Sequence, residues 1–108
     1  VSAAIGCAKE AINRKNKSGQ VFVACDIGPI GKLLYPSGTL KFDKAYDAYK
    51  EIVVAGRESG ADLFIVETMS DIYDAKAAIL ACKENSDLPV FSTMTLESND
   101  RTLTGSDI

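Results

Sequence analysis

GADLFIVETMSDIYDAKAAILACKENSDLPVFSTMT, residues 60–95, decides the fold. Its first part, residues 62–67, is a short apolar run with β-branched members that ends in a carboxylate. Such a run, without polar alternation, reads as a buried strand. Gly60 marks the stop of whatever precedes it. Ser70 or Asp71 then caps a helix over 71–85, with Ile72, Ala75, Ile79 and Cys82 at helical spacing on one face. Residues 89–95 make a second apolar strand. A strand, an amphipathic helix and a further strand in that order form a βαβ unit with parallel strands.

Reading outward toward the amino terminus gives the same alternation. Residues 43–59 are helical, with Phe42, Ala45, Tyr46, Tyr49, Ile52, Val53 and Gly56 three or four apart and Asp43 as N-cap. A long connection, IGPIGKLLYPSGTLKF, occupies 27–42. Before it, residues 20–26 (QVFVACD) read as a buried strand, and Ser18-Gly19 ends a helix over 3–16 that carries Ala4, Ile5, Ala8, Ala11 and Ile12 on one side. Basic residues gather at the end of that helix, where they suit its negative terminus. The expected order is α-β-α-β-α-β, an α/β segment with a parallel sheet covered on both sides and right-handed crossovers. Three strands leave two unpaired edges, so self-association through those edges is expected of the isolated chain. Both ends are expected to be truncations, Thr104-Gly105-Ser106-Asp107 resembling the cap of a further helix.

The bulk properties narrow the function. The 108 residues are 46% hydrophobic and 25% charged, which argues for a folded segment. The formal charge is −3 and the cations are scattered, so nucleic acid is not an expected partner. No apolar run is long enough for a membrane helix, and no secretory signal is visible. The three cysteines, Cys7, Cys25 and Cys82, form no CxxC pair. They are expected to be small buried hydrophobes in a reduced, cytoplasmic setting. There is no histidine at all. That removes Ser–His and Cys–His nucleophile pairs and histidine-ligated metal from this segment, and it argues against a corrinoid carrier.

In parallel α/β proteins ligands lie beyond the carboxyl ends of the strands. Three segments qualify: Asp26 to Gly31, Glu67 to Asp71, and Thr93 to Thr95. GPIGK lacks the spacing and the following Ser or Thr of a phosphate-binding loop. Its glycines suit either a tight turn or close approach to a ligand. Glu67 is the sharper signal. It ends the run Leu63-Phe64-Ile65-Val66, at the rim of an apolar core, with nothing basic nearby in sequence. Such a carboxylate needs a partner. A ligand ammonium and a Lys or Arg from elsewhere in the fold satisfy that need equally well. Asp26 poses the same question more weakly, and Asp71 reads as an N-cap.

At these residues the chain resembles a known family. DIGPIGKLLYPSGTLKF, AYDAYKE, GADLFIVETMSD, AKAAILACKE, LPVFSTMTL and RTLTGSD, in this order, are similar to the homocysteine-binding domain of the homocysteine S-methyltransferases. Within the family the wording is nearest to its cobalamin-dependent branch. The resemblance runs from about residue 20 to the end of the sequence.

The resemblance implies a (β/α)8 TIM barrel of which these are the third, fourth and fifth strands, so residues 1–108 would form a partial domain. It implies that Glu67 meets the amino group of homocysteine, that Gly28, Pro29 and Gly31 belong to the loop at the same rim, and that Thr95 faces the mouth. It implies zinc, which is held by three cysteines and binds the substrate sulfur as thiolate, and cobalamin in the full-length parent. Domains binding cobalamin and folate would be its partners. Neither the Gly-Pro-flanked Cys nor the Cys-Cys pair of the zinc site occurs here, and the first-strand Asp-Gly motif is also missing. The segment is therefore expected to bind neither cofactor and to be inactive alone. Betaine or S-methylmethionine remains an alternative donor, and an isolated folding unit without function an alternative reading.

Overall fold

The computed structural model describes residues 1–107, and its elements follow the expected alternation. They are α1 (Ser2–Arg14), β1 (Ala24–Ile27), α2 (Phe42–Glu58), β2 (Leu63–Met69), α3 (Ile72–Asn85) and β3 (Val90–Met94). The three strands form one parallel sheet in the order β1-β2-β3. Cys25 stands beside Phe64 and Ile27 beside Val66; Phe64 stands beside Val90 and Val66 beside Ser92.

The sheet is covered by helices on one face, which corrects the expectation of two covered faces. Strands in sequential order, joined by crossovers of one hand, send every helix to the same side. On that side Cys25, Ile27, Phe64 and Val66 are buried together with Tyr49 and Val53 of α2. Gly56 lets α2 lie against the sheet. A Cβ there would come within 2.8 Å of Cys25 Sγ and 3.1 Å of Phe64 Cε1. The other face carries Asp26, Ile65 and Phe91 in one row, and Phe91 is 60% exposed.

Strand β1 is shorter than the expected 20–26. Val21 and Phe22 are exposed and lie outside the ladder. The chain is tied there by a side chain instead: Val23 N donates to Asp62 Oδ2 at 2.7 Å, and Lys9 Nζ of α1 reaches the same oxygen at 2.7 Å. Strand β3 is an exposed edge rather than a buried strand.

The helices also depart from the spacing argument in detail. Lys41 takes the N-cap position of α2, so Asp43 lies in the first turn and does not cap. Asp71 caps α3, accepting from Tyr73 N at 2.9 Å. Ile72 is exposed, and the buried stripe of α3 is Ala75, Ala77, Ala78, Ala81 and Cys82. Small residues let this helix approach α2 and the sheet closely, and a reading weighted toward large apolar side chains misses them. Cys25 and Cys82 are buried as expected, but Cys7 is exposed on α1. Among the described residues no helix is long and apolar enough to cross a membrane.

Candidate functional site at the carboxyl rim of the sheet

The strand ends gather three segments at one edge of the sheet. Strand β1 runs into the loop of Gly28, Pro29, Ile30 and Gly31. Gly28, Pro29 and Gly31 are exposed and Ile30 is half-buried. Gly31 has φ +77°, a conformation that suits a residue without Cβ. Strand β3 ends just before Thr95, whose N–H donates to Met69 O at 2.7 Å and ties the third segment to the second.

Strand β2 ends in a bulge. Val66 stands beside Ser92 but Met69 stands beside Met94, so β2 spends one residue more than β3 over this stretch. A single inserted residue reverses the side on which the following side chain falls. The bulge thereby returns Met69 to the buried side with Phe64 and Val66, and it leaves Glu67 and Thr68 exposed. Thr68 carries φ +59°, a left-handed conformation that is costly for a β-branched residue. Strain of this kind is held in place by its surroundings. Here Thr68 N donates to Thr93 Oγ1 at 3.0 Å.

Glu67 is thus presented rather than buried. Among the described residues its carboxylate has neither ion-pair nor hydrogen-bond partner. The expectation that it sits in an apolar rim needing a partner is corrected to this extent: within these residues it is solvated. Asp26 is likewise exposed, two positions before Gly28.

The loop after β1 is held from behind by two residues that the sequence reading passed over or took for core. Asp74 of α3 is 4% exposed, and no ion pair reaches it among the described residues. One carboxylate oxygen accepts from Tyr49 Oη of α2 at 2.7 Å, and the other accepts from Ile30 N at 3.2 Å. Tyr49 Oη also lies 3.4 Å from Gly28 O. Burial pushes the Asp74 carboxyl above its ordinary range; the bonds from Tyr49 and Ile30 oppose that shift, and nearby Asp71 adds to it. Burial, together with the Asp74 carboxylate, pushes the Tyr49 phenol up as well. Two hydrogen bonds to a charged acceptor, each worth roughly 1.5–3 kcal/mol, offset part of the cost of enclosing it.

The rim does not converge on one cavity. Pro29, Gly31, Lys32 and Leu33 line a hollow of about 270 Å³ with Ser70, Asp71, Asp74 and Leu103, and neither Glu67 nor Thr95 borders it. Leu103 is placed there because its N–H donates to Ser70 O at 3.1 Å. The tail expected to begin another helix forms a closed turn over its described part. Ser106 N donates to Thr102 Oγ1 at 3.0 Å, and Arg101 pairs with Asp107 at 3.1 Å.

The residues present do not fit a zinc site. Among the described residues no three His, Cys, Asp or Glu side chains gather. Cys25 and Cys82 lie on the helix side of the sheet. Burial raises both thiols, that of Cys82 to about 11, so neither offers a ready thiolate.

Comparison with known proteins adds the following. The family model described as homocysteine S-methyltransferase matches residues 1–108. The methionine synthase of Mycobacterium tuberculosis is 33% identical over 92 residues, which is 81% of this chain and 8% of the relative. The methionine synthase of Mycobacterium leprae matches with the same identity and coverage. The crystal structure of a homocysteine methyltransferase from Escherichia coli, in its apo form, superposes with a TM-score of 0.74 at 22% identity. That match covers 98% of this chain and 41% of the other. The chain therefore spans less than a tenth of the length of the two curated relatives and about two fifths of the solved structure.

Proposed function

This chain belongs to the homocysteine S-methyltransferase family, and we propose that it supplies one wall of the homocysteine pocket in an enzyme that methylates homocysteine to methionine. In this reading β1, β2 and β3 are the third, fourth and fifth strands of a (β/α)8 barrel. The helix-free face, with Asp26, Ile65 and Phe91, then lines the barrel interior. Glu67 and the loop of Gly28, Pro29 and Gly31 stand at its mouth with Thr95. The sequential parallel order and the placing of all helix contacts on one face support the barrel.

The observation that carries the reading is Glu67. A bulge, a left-handed Thr68 and the Thr93 hydroxyl all serve to present its carboxylate, which has no partner among the described residues. An ammonium about 4 Å away interacts with such a carboxylate by roughly 4 kcal/mol at an effective dielectric of ~20, before desolvation. Its role is to bind and orient the substrate. The bond-making step takes place at the sulfur, several bonds from the amino group.

Zinc and cobalamin, in the same proposal, are held by parts of the parent outside these residues. The methyl donor is methylcobalamin recharged from 5-methyltetrahydrofolate, in keeping with the methionine synthases among the relatives. The parent's cobalamin- and folate-binding domains are then its partners, and the 108 residues alone have no activity.

Calorimetric titration of the full-length protein tests the reading. Glu67→Gln should weaken homocysteine by about 10- to 100-fold, the scale of a lost charged hydrogen bond of roughly 1.5–3 kcal/mol. It should leave 4-mercaptobutyrate, which lacks the amino group, unaffected. Equal affinity of homocysteine for both proteins would remove Glu67 from the pocket.

A further inference from the structure

We propose that Tyr49 and Asp74 act as a positioning clamp that fixes the loop of Gly28, Pro29, Ile30 and Gly31 for substrate binding; this inference rests on the pocket reading above. Neither residue reaches the exposed face of the sheet, so neither is catalytic. Their effect passes through the loop backbone.

Three observations converge on the clamp. First, Asp74 is not used by its own helix. It lies in the first turn of α3, where a carboxylate commonly reaches back to cap the helix. The helix is capped by Asp71, whose Oδ1 accepts from Tyr73 N, and among the described residues the Asp74 side chain makes no bond back to the N-cap. Asp74 is turned toward the loop instead, one oxygen to Ile30 N at 3.2 Å and the other to Tyr49 Oη at 2.7 Å. Secondly, the clamp joins three elements. Tyr49 comes from α2, Asp74 from α3 and Ile30 from the loop, so the loop is indexed to both helices behind the sheet. Thirdly, the group is enclosed: Tyr49 is 2% exposed and Asp74 4% exposed. A single phenolic proton cannot serve two acceptors fully. It goes to the nearer Asp74 oxygen, with Gly28 O at 3.4 Å as the weaker second acceptor.

The chemistry of the loop explains why it needs such a clamp. Gly28 and Gly31 have open space around the position of a Cβ, so no side-chain packing holds their backbone. Glycine-rich backbone of this kind samples many conformations. The hydrogen bond from Ile30 N to a buried carboxylate that Tyr49 holds in place reduces that freedom before substrate arrives, which is preorganisation of a binding surface. Loss of the clamp should therefore appear in substrate binding and leave turnover at saturation unchanged.

The test is steady-state kinetics of the full-length protein with homocysteine as the varied substrate. Asp74→Ala removes both acceptors and should raise KM for homocysteine roughly tenfold, with kcat within about twofold, as loss of hydrogen bonds to a charged group predicts. Tyr49→Phe removes only the phenolic donor to Asp74 and should give a smaller rise in KM. Asp74→Asn should restore KM to within a few-fold, because its amide oxygen accepts from Ile30 N while its NH2 group faces Tyr49 Oη. A folded Asp74→Ala protein with unchanged KM, or one whose kcat alone falls, overturns the clamp. If Asp74→Ala fails to fold, Tyr49→Phe decides by the same criterion. Glu67→Gln separates this idea from the pocket reading. If Glu67→Gln changes nothing while Asp74→Ala raises KM, the role of Glu67 fails and the clamp stands. The reverse pattern sinks the clamp alone.

Discussion

Gly56→Ala sets two effects of opposite sign against each other. Alanine in the interior of α2 gains about 1 kcal/mol over glycine in helix propensity. The new methyl, however, has nowhere to go. It would stand 2.8 Å from Cys25 Sγ, 3.1 Å from Phe64 Cε1 and 3.3 Å from Cys25 Cβ. Phe64 is fully buried in the central strand and Cys25 is 3% exposed, so neither can swing away into solvent. Overpacking of this kind costs roughly 1–3 kcal/mol, and two contacts near 3 Å place this case in the upper part of that range. The overlap wins, with a net loss of about 1–2 kcal/mol. Cys25→Ala removes the nearest atom, so Gly56→Ala should cost at least ~1 kcal/mol less in that background, a coupling that neighbours in contact are expected to show. Hydrogen-exchange mass spectrometry on the peptide covering residues 61–69 of the full-length protein reads the opening free energy of β2 directly. A Gly56→Ala protein that protects this peptide better than the parent does, or strict additivity with Cys25→Ala, would refute the close approach of α2 to the sheet.

Two further expectations follow from the titrating groups. Lys9 and the Val23 N–H hold the Asp62 carboxyl below its ordinary range, so its contribution is present above the unfolded carboxylate pKa and is lost as pH falls through the lower folded value. Asp62→Asn should flatten the acid limb of stability below about pH 4, measured by urea unfolding across pH. Asp74 has the opposite sign: its folded pKa is raised, so the parent loses stability as pH rises from the unfolded carboxylate range through that higher value. Asp74→Asn should therefore gain on the parent as pH rises above the ordinary carboxylate range, and a pH-independent difference would refute it. Iodoacetamide at about pH 8 should modify Cys7 and spare Cys25 and Cys82 until denaturant is added. Peptide mapping that finds Cys82 labelled as fast as Cys7 would contradict the buried, raised thiol.

The order of elements was legible because each strand is a short apolar run and each helix carries a 3–4 spacing. What was not legible is which faces are covered. Val21, Phe22 and Phe91 are apolar and exposed, while Ala77, Ala78 and Ala81 are small and fully buried. Hydrophobicity records that a residue can be buried, and the partner that buries it is set by topology. A sequential strand order leaves one face of the sheet without helices, and no composition of the strands announces that order.

The two carboxylates of the rim show why one was found and the other missed. Glu67 interrupts an apolar strand, and that contrast is written in five consecutive residues. Asp74 sits among ordinary first-turn residues of a helix, where an acidic side chain raises no question. Its partners lie 25 and 44 positions away in the chain, and only the fold brings them together. The exposure of the two groups reverses the usual expectation for a binding carboxylate. The exposed one has no partner among the described residues, whereas the buried one already has both oxygens engaged by the chain. A carboxylate with its acceptors occupied can still govern binding, but only by deciding where the loop in front of it lies. In the proposed separation Glu67 contacts substrate and Asp74 places the loop, so the two variants must differ in how they treat an analogue without the amino group. Loss of Glu67 should spare that analogue, whereas loss of Asp74, by displacing the loop, should weaken it together with homocysteine.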